Sequence, residues 1–277
     1  MALWVRQQSP QTHVIHIGRP WCHPDRFDLI VATPQYQLEG FANVLVNRLP
    51  LHQVEGETVA SAREAWRARL ADLPSPRTVL LLGGNSGAYV LDATQAVQIA
   101  RSLEAFSDGS LVVSTSRRTP PGFIDALLEQ IRAPDMVYRW GESPDNPYLG
   151  LLSWGDRFIV TEDSVSMTAE AIATGKEVFI AALEPVRPWW LRPSSFGWKP
   201  LTHRLAMALA PARFHRNVRR MHEQLVAEGL AHWLASPGRE RPKEPQSAER
   251  THPELDPRRD LQRSVAAVRA LLPRKTG

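Results

Sequence analysis

A chain of 277 residues with 43% hydrophobic content can bury one large or two ordinary cores. Its single cysteine, Cys22, excludes a disulfide framework and any cysteine-based zinc site. The net charge of +4 conceals a division: residues 185–277 carry 18 Lys/Arg against 8 Asp/Glu, while residues 1–184 balance at −6.

No apolar run reaches the roughly 18 residues that a membrane-spanning helix needs, and no secretory signal opens the chain. With one thiol suited to a reducing compartment, the expectation is a cytoplasmic protein, soluble or peripheral on the inner membrane. The basic last third suits phosphate, anionic lipid or nucleic acid. A solvated helical surface gives the same composition.

HVIHIG (13–18) and FDLIVAT (27–33) are short β-branched apolar runs and predict two buried strands. ETVASAREAWRARLADL (57–73) places Val59, Ala62, Trp66, Leu70 and Leu73 at helical spacing and stops at Pro74. Ser75, Pro76 and Arg77 form a plausible hinge, so the first domain is predicted over residues 1–74, a partial Rossmann-like domain.

From there strands and helices alternate. TVLLLGG (78–84), SLVVSTS (110–116), MVYRW (136–140), RFIVTE (157–162) and EVFIAAL (177–183) predict strands. DATQAVQIARSLEAF (92–106), PGFIDALLEQI (121–131), a turn after Pro147, and residues 164–174 predict the helices between them. Such alternation argues for a doubly wound parallel sheet, here over residues 75–200. Beyond it, four prolines and three tryptophans make 185–200 a crossing loop. Residues 203–234 read as helix in two pieces divided near Pro211. A polar Pro-rich linker (236–257) and an amphipathic helix (260–272) complete a third region, 201–277.

In a doubly wound sheet, ligands bind beyond the carboxyl ends of the strands, which directs attention to three loops. In GGNSGAY (83–89), glycines admit an anion close to the backbone, and Asn85 and Ser86 can donate to it. The loop is neither a Walker loop nor GxGxxG, which disfavours classical ATPase and NAD readings, and a plain turn has the same letters. STSRRTPP (114–121) sets adjacent arginines at a strand end, suited to phosphate oxygens or to nearby surface acids.

The third loop is VTEDSVSM (160–167). With Asp163 as helix cap, Asp163, Ser166, Glu170 and Thr174 recur at spacings of three and four and form a polar stripe. Val165, Ala169 and Ile172 form the apolar stripe that packs on the sheet. The polar stripe is expected to face a cleft, where helix amides meet a phosphate and Glu170 accepts from a ribose diol.

TEDSVSMTAEAIATGKEV, with SRRTP, NPYLG (146–150), GGNSG and PWCHPDRFDLIVATPQY (20–36), resembles the mitochondrial-fission "elongated mitochondria" family in its bacterial branch. The resemblance spans roughly residues 12–200 and implies a GT-B-like α/β fold of two Rossmann-like domains, the second holding a nucleotide sugar. It implies Gly84, Asn85 and Ser86 near the diphosphate, with Ser116 and Arg117 beside it. Ser164, Ser166 and Glu170 would lie on phosphate and ribose, and Asn146 and Tyr148 near base or sugar. Relative to the family pattern, about half of an N-terminal domain is expected to be missing, so no catalytic base is assigned. His16 and Asp28, at strand ends, are read as structural.

The function expected is therefore a nucleotide-sugar-dependent glycosyltransferase, with the donor as substrate and no further cofactor. No DxD motif or His cluster is present, which fits a metal-independent transfer. The basic, Trp-rich residues 187–220 would rest on an anionic membrane carrying a lipid-linked acceptor. A non-catalytic GT-B-like adaptor at a membrane surface and a sugar-nucleotide epimerase on the same fold share these signals. Nucleic-acid binding is disfavoured, because the aromatics follow no RNA-binding pattern.

Overall fold

Short apolar runs become the strands of two parallel sheets in the computed structural model, which describes residues 1–184 except 53, 55, 87 and 88, then 216–235 and 258–272. The chain divides into two units. The first comprises Met1–Leu51, Leu205–Met221 and Arg250–Gly277; the second comprises His52–Arg204 and His222–Glu249.

In the first unit, strands β1 (Ile15–Ile17), β2 (Leu29–Ala32) and β3 (Val44–Val46) pair in that order, with Ile15 opposite Leu29 and Ile30 opposite Val44. Val14, Phe27, Ile30, Ala32 and Leu38 form its core. Helix α1 (Ala2–Gln8) precedes β1, and its Arg6 pairs with Asp28 at 3.3 Å. Asp28 also accepts from the Val14 amide at 2.7 Å, and the His16 ring lies 5.2 Å from Phe27, so both residues have the structural contacts expected of them. Strand β3 was not among the predicted elements.

The second unit carries β4 (Arg77–Leu82), β5 (Ser110–Thr115), β6 (Met136–Tyr138), β7 (Arg157–Thr161), β8 (Glu177–Ala181) and β9 (His232–Trp233). Their order is β6-β5-β4-β7-β8-β9 and every pairing is parallel. Residues 78–82, 110–115 and 158–161 are all buried, as expected of strands covered on both faces. The covering helices include α4 (Ala93–Leu103), α5 (Pro121–Leu128), α6 (Tyr148–Trp154) and α7 (Val165–Ala173). Asp92 caps α4 by accepting from the Gln95 amide at 3.0 Å, and Pro121 opens α5.

Several predicted boundaries move. The segment 57–73 belongs to the second unit, so the division falls at Leu51/His52 and not at 74/75. It folds as α2 (Gly56–Ala65) and α3 (Arg67–Leu70), broken at Trp66, whose φ of −102° and ψ of 4° leave the helical range. Contacts with α6 tie it there: the Trp154 indole donates to the Arg63 carbonyl at 2.8 Å, and the Arg63 guanidinium stacks 3.9 Å over that ring.

Of the predicted helix 203–234, residues 203–215 lie outside the described residues, and α8 (Val218–Ala227) ends where Gly229 takes a φ of +70°. The released His232–Trp233 pairs with β8 as an edge strand. The linker 236–257 also lies outside the described residues.

Finally, α9 (Arg258–Leu271) belongs to the first unit rather than to a separate third region. Asp260 accepts from the Leu49 amide and Ser264 from the Asn47 side chain, each at 2.9 Å. Two polar residues predicted on an amphipathic helix are thus buried partners of the chain after β3.

Candidate functional site

Within the second sheet, β4 and β7 lie side by side while the connections that follow them lead to opposite ends of the strand order. This is the topological switch point, the place where doubly wound sheets bind their ligands beyond the carboxyl ends of the strands. Gly83–Asn85 follow β4, Glu162–Ser164 follow β7, and Ser116–Thr119 follow the neighbouring β5. All three loops singled out in the sequence therefore converge on one end of one sheet.

Asp163 joins them. Its carboxylate accepts from the Gly84 amide (2.7 Å), the Thr161 hydroxyl (2.7 Å) and the Arg118 guanidinium (3.0 Å), and the residue is wholly buried. Burial pushes its pKa up, while the Gly84 amide, the Thr161 hydroxyl and Arg118 pull it back. The loops meet so closely that a Cβ on Gly83 would stand 2.2 Å from an Asp163 oxygen, and one on Gly84 2.0 Å from the Arg118 carbonyl. Glycine at both positions is a requirement of close approach.

Further bonds stitch the cluster. The Gly83 amide donates to Thr161 Oγ1 at 2.8 Å, and the Ser116 hydroxyl donates to the Gly83 carbonyl at 2.7 Å. The Thr119 hydroxyl donates to the same carbonyl. Arg118 also donates to the Gly84 and Asn85 carbonyls, each at 3.2 Å. Buried Glu162 accepts from the Tyr89 hydroxyl and the Leu183 amide, each at 2.8 Å, fastening the far end of the glycine loop to the chain after β8.

Helix α7 begins differently from expectation. Its N-cap is Ser164, which makes no side-chain capping bond, so Ser166 is the second helical residue. Asp163 points into the protein and leaves the expected polar stripe, because its carboxylate satisfies the Gly84 amide instead of the helix amides. Thr174 bonds back to the Ala171 carbonyl at 2.6 Å. Val165, Ala169 and Ile172 are buried, as the apolar stripe predicts, while Ser166 is exposed and Glu170 half-buried. The amides of residues 165–167 precede the first intrahelical donor, so among the described residues the opening of α7 presents unsatisfied N–H groups beside the glycine loop.

One turn further in, the Tyr148 hydroxyl donates to a Glu170 carboxylate oxygen. Burial raises the Glu170 pKa and the bond from Tyr148 lowers it; burial, then the Glu170 charge, raises that of Tyr148. Asn146 Oδ1 accepts from the Tyr148 amide at 3.0 Å and holds the start of α6. The structure thus brings together Gly84, Ser116 and Asp163 in one network, and Asn146, Tyr148 and Glu170 in another. Asn85 is turned to the Leu91 amide (2.9 Å), and Ser86 pairs with Tyr89 through the backbone.

Arg117 is exposed and, among the described residues, makes no hydrogen bond or ion pair. Its neighbour Arg118 is the arginine built into the loops. Sequence reasoning missed Arg118, Thr161, Thr119 and the Glu162–Tyr89 pair; the Arg-Arg doublet was the available signal, without a means to choose its member. Among the described residues, no group of three or more His, Cys, Asp or Glu is placed to hold a metal, and no helix is long and apolar enough to cross a membrane.

A family profile described as Mitochondrial fission ELM1 matches residues 1–194. The chain belongs to this family. It is 29% identical over 204 residues to the mitochondrial fission protein ELM1 of Arabidopsis thaliana, covering 65% of this chain and 48% of that protein. An uncharacterized protein, RP120, of Rickettsia prowazekii is 29% identical over 108 residues, covering 37% of this chain and 30% of its own. The chain spans about half or less of the curated relatives it matches.

Among solved structures it is similar to GT-B glycosyltransferases. One is Phytolacca americana UGT2 complexed with UDP-2fluoro-glucose and pterostilbene: 14% identity, TM-score 0.32, covering 91% of this chain and 52% of that one.

Proposed function

We propose that the second unit binds a nucleoside diphosphate, presented as a nucleotide sugar, and that the protein is a glycosyltransferase using it as donor. One observation carries this reading: the paired-glycine loop and the open amides of α7 lie together at the switch point of the sheet, with the Glu170 carboxylate one turn deeper. In this reading the diphosphate sits against the Gly84–Asn85 backbone, Ser164, Ser166 and the α7 amides, with Arg117 closing on it from the exposed side. The second Glu170 oxygen, which has no partner among the described residues, would accept a ribose hydroxyl while Tyr148 holds the first.

Transfer breaks the bond between the anomeric carbon and the diphosphate oxygen and forms one to an acceptor oxygen. The charge that develops on the diphosphate is met by Arg117, backbone amides and the helix dipole. The membrane-resting, lipid-linked acceptor belongs to the same proposal. Its basis is the basic stretch 187–220, most of which lies outside the described residues.

Thermal unfolding of the full chain with UDP, GDP, ADP and CMP sugars tests donor binding. A ligand at 100 times its dissociation constant stabilises by about 2.7 kcal/mol, so the midpoint should rise by roughly 5–10 °C. Glu170→Ala should abolish most of that rise. A folded protein that responds to none of the four classes would refute the donor site.

The name of the Arabidopsis relative, a mitochondrial fission protein, favours a second reading, a binding scaffold without turnover. Nucleotide binding without any transferred or epimerised sugar product would select it.

A further inference from the structure

Apolar side chains crowd the free edge of the first sheet. Strand β1 ends the order β1-β2-β3, and its two isoleucines, Ile15 at 37% and Ile17 at 67%, are exposed. Trp4 and Val5 on α1 and Trp21 beyond β1 are exposed as well. Helix α1 sits by the amino end of β1, because Arg6 pairs with Asp28, and Asp28 accepts from Val14, the residue before the strand. Trp21 follows the other end of the strand. The five side chains offer an apolar surface on the order of 600 Å², the upper end of what the largest patch on a monomer reaches.

The backbone of the edge is open too. The Gly18 amide donates to the Val31 carbonyl at 2.8 Å, and alternate residues of a strand bond to the same neighbour. His16 and Gly18 therefore face β2, while the amides and carbonyls of Ile15 and Ile17 point outward, with no strand partner among the described residues. VIHIG (14–18) holds none of the charged residues or prolines with which proteins guard such edges. Three strands also fall short of the about four to six usual for a sheet.

We infer that this edge pairs with the same edge of a second copy, so that two first units share one continuous sheet about a two-fold axis. The strand itself favours a second copy over another chain. Ile-His-Ile reads the same in both directions, so an antiparallel pair centred on His16 sets Ile15 opposite Ile17 of the partner subunit, twice. The outward amides and carbonyls at both positions then meet in hydrogen-bonded pairs. Residues two apart share a face, and an axis perpendicular to the sheet keeps the four isoleucines together on it. The exposed apolar surface is most of the ~800 Å² that each partner of a standard interface buries. The inference is independent of the nucleotide reading, whose loops belong to the second unit.

Sedimentation equilibrium of the full chain at about 1 and 100 μM tests it, the higher value lying above the μM end of affinities for interfaces of this size. Wild type should be mostly dimer at the higher concentration. Ile15→Glu and Ile17→Lys each put an unpaired charge into the pairing twice over, and each should lose about 100-fold or more in dimer affinity. Both side chains are exposed in the single chain, so the circular dichroism of these variants should match wild type. Ile15→Glu combined with Ile17→Lys sets opposite charges across the axis and should recover dimer affinity to within about 10-fold of wild type. A wild type that stays monomeric at the higher concentration would overturn the inference and leave the edge to a different chain. Dimers that survive both single changes would move the interface off β1 and overturn it equally. A double variant as monomeric as the singles would overturn the two-fold pairing.

Discussion

Asp163 is buried completely, yet it accepts hydrogen bonds from two loops, 45 and 79 residues away in sequence, and from the end of β7 just before it. Removing the carboxylate strands the Gly84 amide and the Thr161 hydroxyl inside the protein, and each buried donor left unpaired costs about 1–3 kcal/mol. Arg118 adds little to that figure, because its side chain is 40% exposed and water can replace the lost partner. Asp163→Ala should therefore lower unfolding free energy by roughly 2–4 kcal/mol in chemical denaturation. Asp163→Asn keeps one acceptor oxygen and sheds the cost of burying a charge, so it should lose less than half as much. A neutral Asp163→Ala would show that the loops are held by other contacts. The TEDS cluster marked this place in the sequence, but its letters suit a helix cap equally well. Which way Asp163 turns depends on the Gly84 amide, 79 residues away, and no local spacing encodes that.

At the scale of elements, apolar patterning was the readable part. The runs at 78–82, 110–115 and 157–161 became central strands because nothing but burial on two faces suits them. In the 57–73 segment the predicted face, Val59, Ala62, Trp66, Leu70 and Leu73, is the buried or half-buried one, although the helix breaks at Trp66. Elements of two or three residues escaped. Val44–Val46 and His232–Trp233 are too short for a period to show, and each exists because a neighbouring strand offers it an edge. The glycine loop lies between these cases: its composition is that of any turn, and its specificity lies in how close the next loop comes. Gly84→Ala tests that. The added carbon would overlap the Arg118 backbone at 2.0 Å, which cannot rotate away as a side-chain tip could. The variant should lose about 1–3 kcal/mol of stability and its thermal response to nucleotide sugars. Retention of that response would place the phosphate elsewhere.

For the whole molecule, the strand order of the second unit, 3-2-1-4-5-6 in its own numbering, is what turns scattered loops into one site. The alternation of strands and helices implied a parallel sheet without specifying that order, because several orders share the same sequence of elements. The composition of the first unit was still less readable, since its sheet is completed by a helix more than 200 residues later in the chain. Ending the chain at Glu249 tests that assignment. It removes Asp260 and Ser264, leaving the Leu49 amide and the Asn47 side chain without their partners, at a cost of about 1–3 kcal/mol for the two bonds together. Hydrogen exchange should then quicken at Ile30–Ala32 in β2 while Val79–Leu82 in β4 keep their protection, because the lost contacts belong to one unit. Exchange that quickens equally in β4 would mean that the two units unfold as one, and the nucleotide site would then depend on the C-terminal helix.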